Sequence, residues 1–201
     1  MKKLISALIA SGSLFLLTGC DSGIAAQVGD TKISQNTVQS KISEILNERT
    51  KLDVSQMQIS VGEELNRAEL RFLLISAIFE KLADKNGIKI TQAMKDSRKV
   101  EILNQVGGAD QLPQALVGAQ MPPSDFDLYI QSLLISEALV EKAKAAGVAE
   151  ENTGAAIQAL VKALTEKEGI KVNPQYGAWD PNNADLVTFD SAGSAVKTKA
   201  A

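Results

Sequence analysis

The stretch from Glu63 to Asn86 limits the possible folds more than any other part of the chain. Leu65, Ala68, Phe72, Ile75, Phe79 and Leu82 recur at steps of three and four, the spacing of one helical face. Phe72-Leu73-Leu74-Ile75 and Ala77-Ile78-Phe79 add apolar residues on the remaining sides. A helix that is apolar nearly all round belongs at the centre of a core. Asn86-Gly87 ends it, with glycine where a helix commonly turns left-handed. Its natural partner is the other long amphipathic stretch, Asp125 to Ala146, with Phe126, Ile130, Leu133, Leu134 and Ala138 as its stripe. The fold class that follows is mainly α, a helical module built on this pair.

Shorter helices surround the pair. Ser34 is placed to cap Gln35 to Arg49, whose inner face is Val38, Ile42, Ile45 and Leu46. Thr91 caps Gln92 to Val106, with Met94, Val100, Ile102, Leu103 and Val106 inward. Ala109 to Gly118 is a short helical piece, and Met121-Pro122-Pro123 forbids its continuation. Ser124 caps the second long helix, and Asp125 and Asp127 sit in its first turn, where the helix dipole favours acids. Asn152 to Glu168 is the last helix, with Ala156, Leu160, Val161 and Leu164 inward. The β content is small. Ala25 to Ser34 reads as a hairpin turning at Gly29-Asp30. Gly169 to Gly177 reads as a short exit strand, and Leu186 to Phe189 as another. Thr50 to Gly62 is expected to be an irregular connector.

The N-terminus carries a targeting signal. Met1-Lys2-Lys3 is cationic, and Leu4 to Leu17 is an apolar run too short for a comfortable transmembrane helix. Leu17-Thr18-Gly19-Cys20, which holds the only cysteine, resembles the bacterial lipobox. That resemblance implies cleavage between Gly19 and Cys20, with a diacylglyceryl group on the Cys20 thiol and a further acyl chain such as palmitate. The expected product is a lipoprotein held at the cell membrane on its extracytoplasmic face. The alternative is an ordinary secretory signal with a chance cysteine. Residues 1–19 are then the signal, 20–24 a short tether, 25–181 the folded domain and 182–201 a C-terminal tail, expected to be partly disordered. Asp21 beside the cysteine favours inner-membrane retention in some bacteria with two membranes.

Composition removes several function classes. The chain has no histidine, and its one cysteine is the expected lipid carrier. Triads built on Ser-His or Cys-His and the usual zinc sets are therefore excluded. Gly107-Gly108 lacks the lysine and spacing of a phosphate loop. The formal charge of −3 argues against nucleic acid, which calls for a dense basic stripe. The acid pairs Glu63-Glu64, Asp125 with Asp127 and Glu150-Glu151 suit acid–base catalysis in principle. Helix starts and solvated faces explain them more simply. Asp180-Pro181-Asn182-Asn183-Ala184-Asp185 lacks a full calcium loop and reads as a polar turn. No catalytic residue, metal or cofactor is expected.

Four passages together resemble the N-terminal chaperone module of SurA/PrsA-type extracytoplasmic folding factors. Val28 to Ser34 is similar to the family's "V-N-G-x-x-I-T/S" opening hairpin, without the usual Asn before glycine. Ala83 to Thr91 is similar to its "A-x-x-x-G-I-x-V-T" passage between helices. Leu112 to Leu139, with Leu116, Pro123 to Phe126 and Leu133-Leu134, resembles its "A-L-x-x-x-G-x-T-x-x-x-F…L-L" segment. Lys171 to Asp180 resembles the "V-N-P-R-Y-G-x-W/F-D" exit of lipid-anchored members. Many relatives insert a parvulin prolyl-isomerase domain before that exit. Gly147 to Gly169 leaves room for one helix only.

The resemblance implies a helical module with an N-terminal hairpin and a short C-terminal strand. It also implies binding without catalysis: a holding chaperone for unfolded secreted or envelope proteins. Met121, Phe126 and Tyr129, beside the Pro122-Pro123 turn, and Met94 are the candidate client contacts. The plainer reading of each is that it completes the core. The rival classes are a prolyl-isomerase-related enzyme and a passive structural or solute-binding lipoprotein.

Overall fold

The computed structural model describes residues 23–188. The signal, the lipobox with Gly19 and Cys20, and residues 189–201 lie outside the described residues. Eleven elements follow in order: β1 (Ile24–Val28), β2 (Thr31–Ser34), α1 (Gln35–Arg49), α2 (Gly62–Asn86), α3 (Gln92–Val106), α4 (Leu112–Gly118), α5 (Phe126–Ala145), α6 (Thr153–Glu168), β3 (Ile170–Val172), β4 (Ala178–Asp180) and β5 (Asp185–Val187). The architecture is mainly α, as the sequence predicts.

The local rules hold where chemistry is local. Ser34 accepts from the Thr37 amide and starts α1. Thr91 accepts from the Met94 amide and starts α3. Gly87 closes α2 at φ 66°, a left-handed geometry that side chains resist. The β1–β2 hairpin turns at Gly29, at φ 58°. β3 then returns to pair antiparallel with β1, so the sheet order is β2-β1-β3. The exit strand thus joins the two ends of the domain. β4 and β5 form a separate hairpin around the Asp180 turn, where Asp180 accepts from the Asn182 amide and the Asn183 side chain.

The main core is the seam between the sheet, α1, α2, α6 and the later part of α5. Ala25, Val28, Val38, Ile45, Leu70, Leu74, Ile78, Ile135 and Leu139 are almost wholly removed from water there. Burial of each large aliphatic side chain stabilises the fold by about 2 kcal/mol. A smaller cluster of Leu116, Phe126, Ile130 and Leu134 joins α4 to the first half of α5, with Ile102 of α3 against it. α2 and α5 touch directly, with Ser132 donating to Ser76 at 3.0 Å inside the contact.

Tertiary context overrides the sequence in several places. Leu46 of α1 and Leu160 of α6, both expected inward, are 47% and 37% exposed. The deepest residues of α2 are Leu70, Leu74 and Ile78, whereas Phe72, Ile75 and Phe79 are half-buried and Ala68 is exposed. The stripe expected to face the core does so only at its ends, where Leu65 and Leu82 are buried, and its middle lies at the core's margin. On α3 no residue is buried, and Val100, expected inward, is 56% exposed. Ser124 makes no cap; it lies in a 3-10 turn, and Asp125 takes the N-cap position without a side-chain bond. Asp125, expected on a solvated first turn, is buried. Finally, the short strand read at Leu186 to Phe189 is present as β5 at Asp185–Val187, but it belongs to the folded domain rather than to a tail beginning at residue 182, and Leu186 is buried in the main core.

Candidate functional site: an apolar groove beside the central helix

The margin of α2 becomes a groove because α6 crosses it with small residues. Ala68, Phe72, Ile75 and Phe79 form one wall, spaced by helical periodicity along roughly 17 Å of α2. Gly154, Ile157 and Val161 of α6 form the other. Gly154 and Ala155 give α6 little bulk at its start, so its first turns leave the two phenylalanines half uncovered. Asn183 and Ala184 of the β4–β5 turn close one side, and the groove holds about 410 Å³. The rim is polar. Arg71 Nε pairs with Asp185 at 2.6 Å. Lys162 donates to the Asn182 side chain at 3.0 Å, and Gln158 donates to the Asn182 carbonyl. These contacts pin the turn against α6 and fix the groove's width.

The surface can bury apolar side chains of a partner; it offers no nucleophile and no acid–base pair. Among the described residues no group of three or more His, Cys, Asp and Glu could hold a metal ion, and no helix is long and apolar enough to cross a membrane.

A second feature sits about a quarter turn round α2 from this groove. Glu69 and Asp125 are both buried and lie together, with Lys41 in an ion pair with Asp125. Lys41 Nζ also donates to Ser124 Oγ at 2.6 Å, and Glu44 accepts from the Ser124 amide at 2.9 Å and its hydroxyl at 2.5 Å. Burial, then the hydrogen bond and like charge of Asp125, push the Glu69 carboxyl up to about 8. Glu69 Oε1 and Asp125 Oδ2 receive no donor from elsewhere. A proton kept on Glu69 and shared with Asp125 supplies that missing bond. Further along α1, Arg49 donates to the Ser60 carbonyl at 2.8 Å and to Gln120 at 3.3 Å. α1 thus holds the turn before α5 by polar contacts at both ends, which positions α5 against α2.

The four residues singled out from sequence do not converge. Phe126 is only 7% exposed and completes the smaller cluster. Met121 is half-buried against that cluster. Tyr129 is 36% exposed on α5. Met94, 40% exposed, lines a separate concavity between α3 and α5 with Ser97, Arg98 and Leu134. That concavity is crossed by Arg98, which grips Glu137 through two bonds of 2.5 and 2.7 Å. The groove residues Phe72, Ile75 and Phe79 are legible as an apolar stripe, and the small-residue start of α6 at Gly154-Ala155 is the signal in the sequence that points to their exposure.

Comparison of the chain with family models, with curated proteins and with solved structures found no match.

Proposed function

We propose that this chain is a lipid-anchored holding chaperone of the SurA/PrsA kind, acting on the extracytoplasmic face of the membrane through the α2–α6 groove. It binds extended segments of unfolded secreted or envelope proteins and performs no chemistry on them. Cys20 carries the lipid, and the domain stands close to the bilayer on its short tether.

The observation that carries this reading is the partly uncovered stripe of Ala68, Phe72, Ile75 and Phe79 along the longest helix among the described residues. The stripe lines a concave surface that can take up apolar side chains of a partner. A groove about five residues of extended chain in length, apolar inside and polar at the rim, accepts varied side chains without demanding a sequence. Each apolar contact adds little by itself, so clients exchange quickly, as release without a nucleotide requires.

The test is light scattering of a chemically denatured client diluted with and without the purified chain, its Cys20 replaced by Ser. Suppression of aggregation at several-fold molar excess is expected. No suppression would leave the passive lipoprotein reading.

A further inference from the structure

Among the described residues no strand pairs with the outer edge of β3. In the register of β1 and β3, Gln27 faces Lys171, with Ala26 facing Val172 and Val28 facing Ile170. Gly29 N donates to the Gly169 carbonyl at 3.2 Å, and Asn173 N donates to the Ala25 carbonyl at 2.8 Å. Residues bonded across an antiparallel pair alternate with residues that are not. The odd-numbered residues of this segment therefore turn their peptide groups toward β1. Ile170 and Val172 turn theirs outward, away from the sheet. β3 is a terminal strand in the order β2-β1-β3, so no strand among the described residues pairs with that side.

That edge borders a built cleft rather than bare surface. Ile170, Lys171 and Val172 form one wall, and Ala178 and Trp179 of β4 form another. Thr165 and Glu166 from the end of α6 complete it, and it holds about 530 Å³. The cleft and the α2–α6 groove flank the same hairpin: Pro181 lines the cleft, and Asn183 and Ala184 line the groove. Both also run along α6, the groove at residues 154–161 and the cleft from 165 onward. The gap between them is roughly one helical turn.

We propose that the outer edge of β3 takes up an extended segment of unfolded polypeptide as an added strand, seated against Trp179. The chemistry selects the occupant. Ile170 and Val172 together offer a row of amide donors and carbonyl acceptors, and the group that complements such a row is another extended backbone. A helix has already spent its backbone groups within itself, and a lipid headgroup has no matching alternation. Backbone pairing is indifferent to sequence, which suits a protein that meets many clients. The proposal rests on the holding reading above and deepens it: side chains of one client enter the α2–α6 groove while its neighbouring backbone pairs with β3.

Fluorescence anisotropy of the full chain with a labelled peptide of alternating valine and threonine, lysine at each end, tests the pairing. Two further peptides carry N-methyl groups on alternate amides, one on the odd set and one on the even set. A paired edge contacts one set only. One N-methylated peptide is expected to bind about tenfold more weakly, the loss of one or two hydrogen bonds, while the other binds like the parent. V172P removes an outward amide and leaves the β1 ladder intact, so it is expected to weaken the parent peptide by a similar factor. Equal binding of all three peptides overturns the edge proposal; suppression of client aggregation in the same preparation then leaves the holding reading standing. Loss of both binding and suppression overturns both. A peptide-free dimer in sedimentation that V172P dissociates assigns the edge to a second copy of the chain and overturns the proposal as well.

Discussion

Glu69 on α2 and Asp125 before α5 face one another as two buried carboxyls that share a single cation, Lys41. The pair sits where α1, α2 and the turn into α5 meet, and Glu44 adds a further acid at its edge. Two ionised carboxylates with one ammonium leave an uncompensated charge in a dry site. Glu69 therefore keeps its proton up to about pH 8 in the folded chain.

This predicts a pH dependence with a defined sign. In the unfolded chain Glu69 ionises near the ordinary value of 4.5, while in the folded chain it ionises near 8. Between those values the folded state holds the extra proton, so the contribution of Glu69 to stability falls as pH rises. It is fully present below pH 4.5 and lost by about pH 8. Glu69→Gln keeps a donor for Asp125 and cannot ionise. Thermal melts from pH 5 to 9 should show the variant gaining on the natural chain as pH rises. Parallel curves would contradict the shared-proton account.

Removing the cation acts in the opposite direction. Lys41→Met leaves Asp125 buried with no partner charge, which costs about 3 kcal/mol. Denaturant unfolding should show that loss. An unchanged midpoint would mean that water already reaches the site.

The β4–β5 hairpin depends on one glycine. At Gly177 φ is 112°, and an added Cβ would lie 2.1 Å from the Val187 carbonyl oxygen. The obstacle is backbone, so Gly177→Ala has to push β5 away from β4. Faster proteolytic release of the segment after Gly177 is expected, together with weaker client holding, because the hairpin turn forms one side of the groove.

The two faces of α2 should separate stability from function. Leu74→Ala empties a fully buried site and costs about 3 kcal/mol. Phe72→Ser and Phe79→Ser act on half-buried groove residues and cost about 1 kcal/mol each. Denaturant midpoints and client light scattering on the same preparations should rank these variants in opposite orders.

How far the sequence carried these conclusions depends on which contacts were local. α1 runs from Gln35 to Arg49 as its cap foretells, because Ser34 acts within one turn, and Val38, Ile42 and Ile45 face inward while Leu46 does not. The Gly29 turn, the Gly87 stop and the polar Asp180 turn are legible for the same reason. The orientation of α2 was not. A helix whose middle is apolar on nearly all sides has no unique inner face there, and packing against the sheet and α5 decides that Leu74 goes inward and Phe72 to the margin. Ser124 resembles a cap by type, but Lys41 and Glu44, about eighty residues earlier, engage its hydroxyl instead. The same distant residues bury Asp125. Phe126 reads first as a core residue of the α5 stripe, and α4 packed beside it bears that out against the client-contact reading.

At the N-terminus, membrane-extracted protein should yield a chain beginning at Cys20 with added acyl mass. Mass spectrometry of the intact N-terminal peptide checks this. A soluble chain cut elsewhere with a free thiol would contradict the anchor.

The central claim is that unfolded chain lies in the α2–α6 groove. A photoreactive amino acid placed at Ile75, in the groove, and separately at Gln105, exposed on α3, tests it most directly. Irradiation in the presence of a denatured client should give crosslinks from position 75 and few from position 105, and the same client in its native state should give none from either. Equal crosslinking from both positions, or none from position 75, would contradict the account.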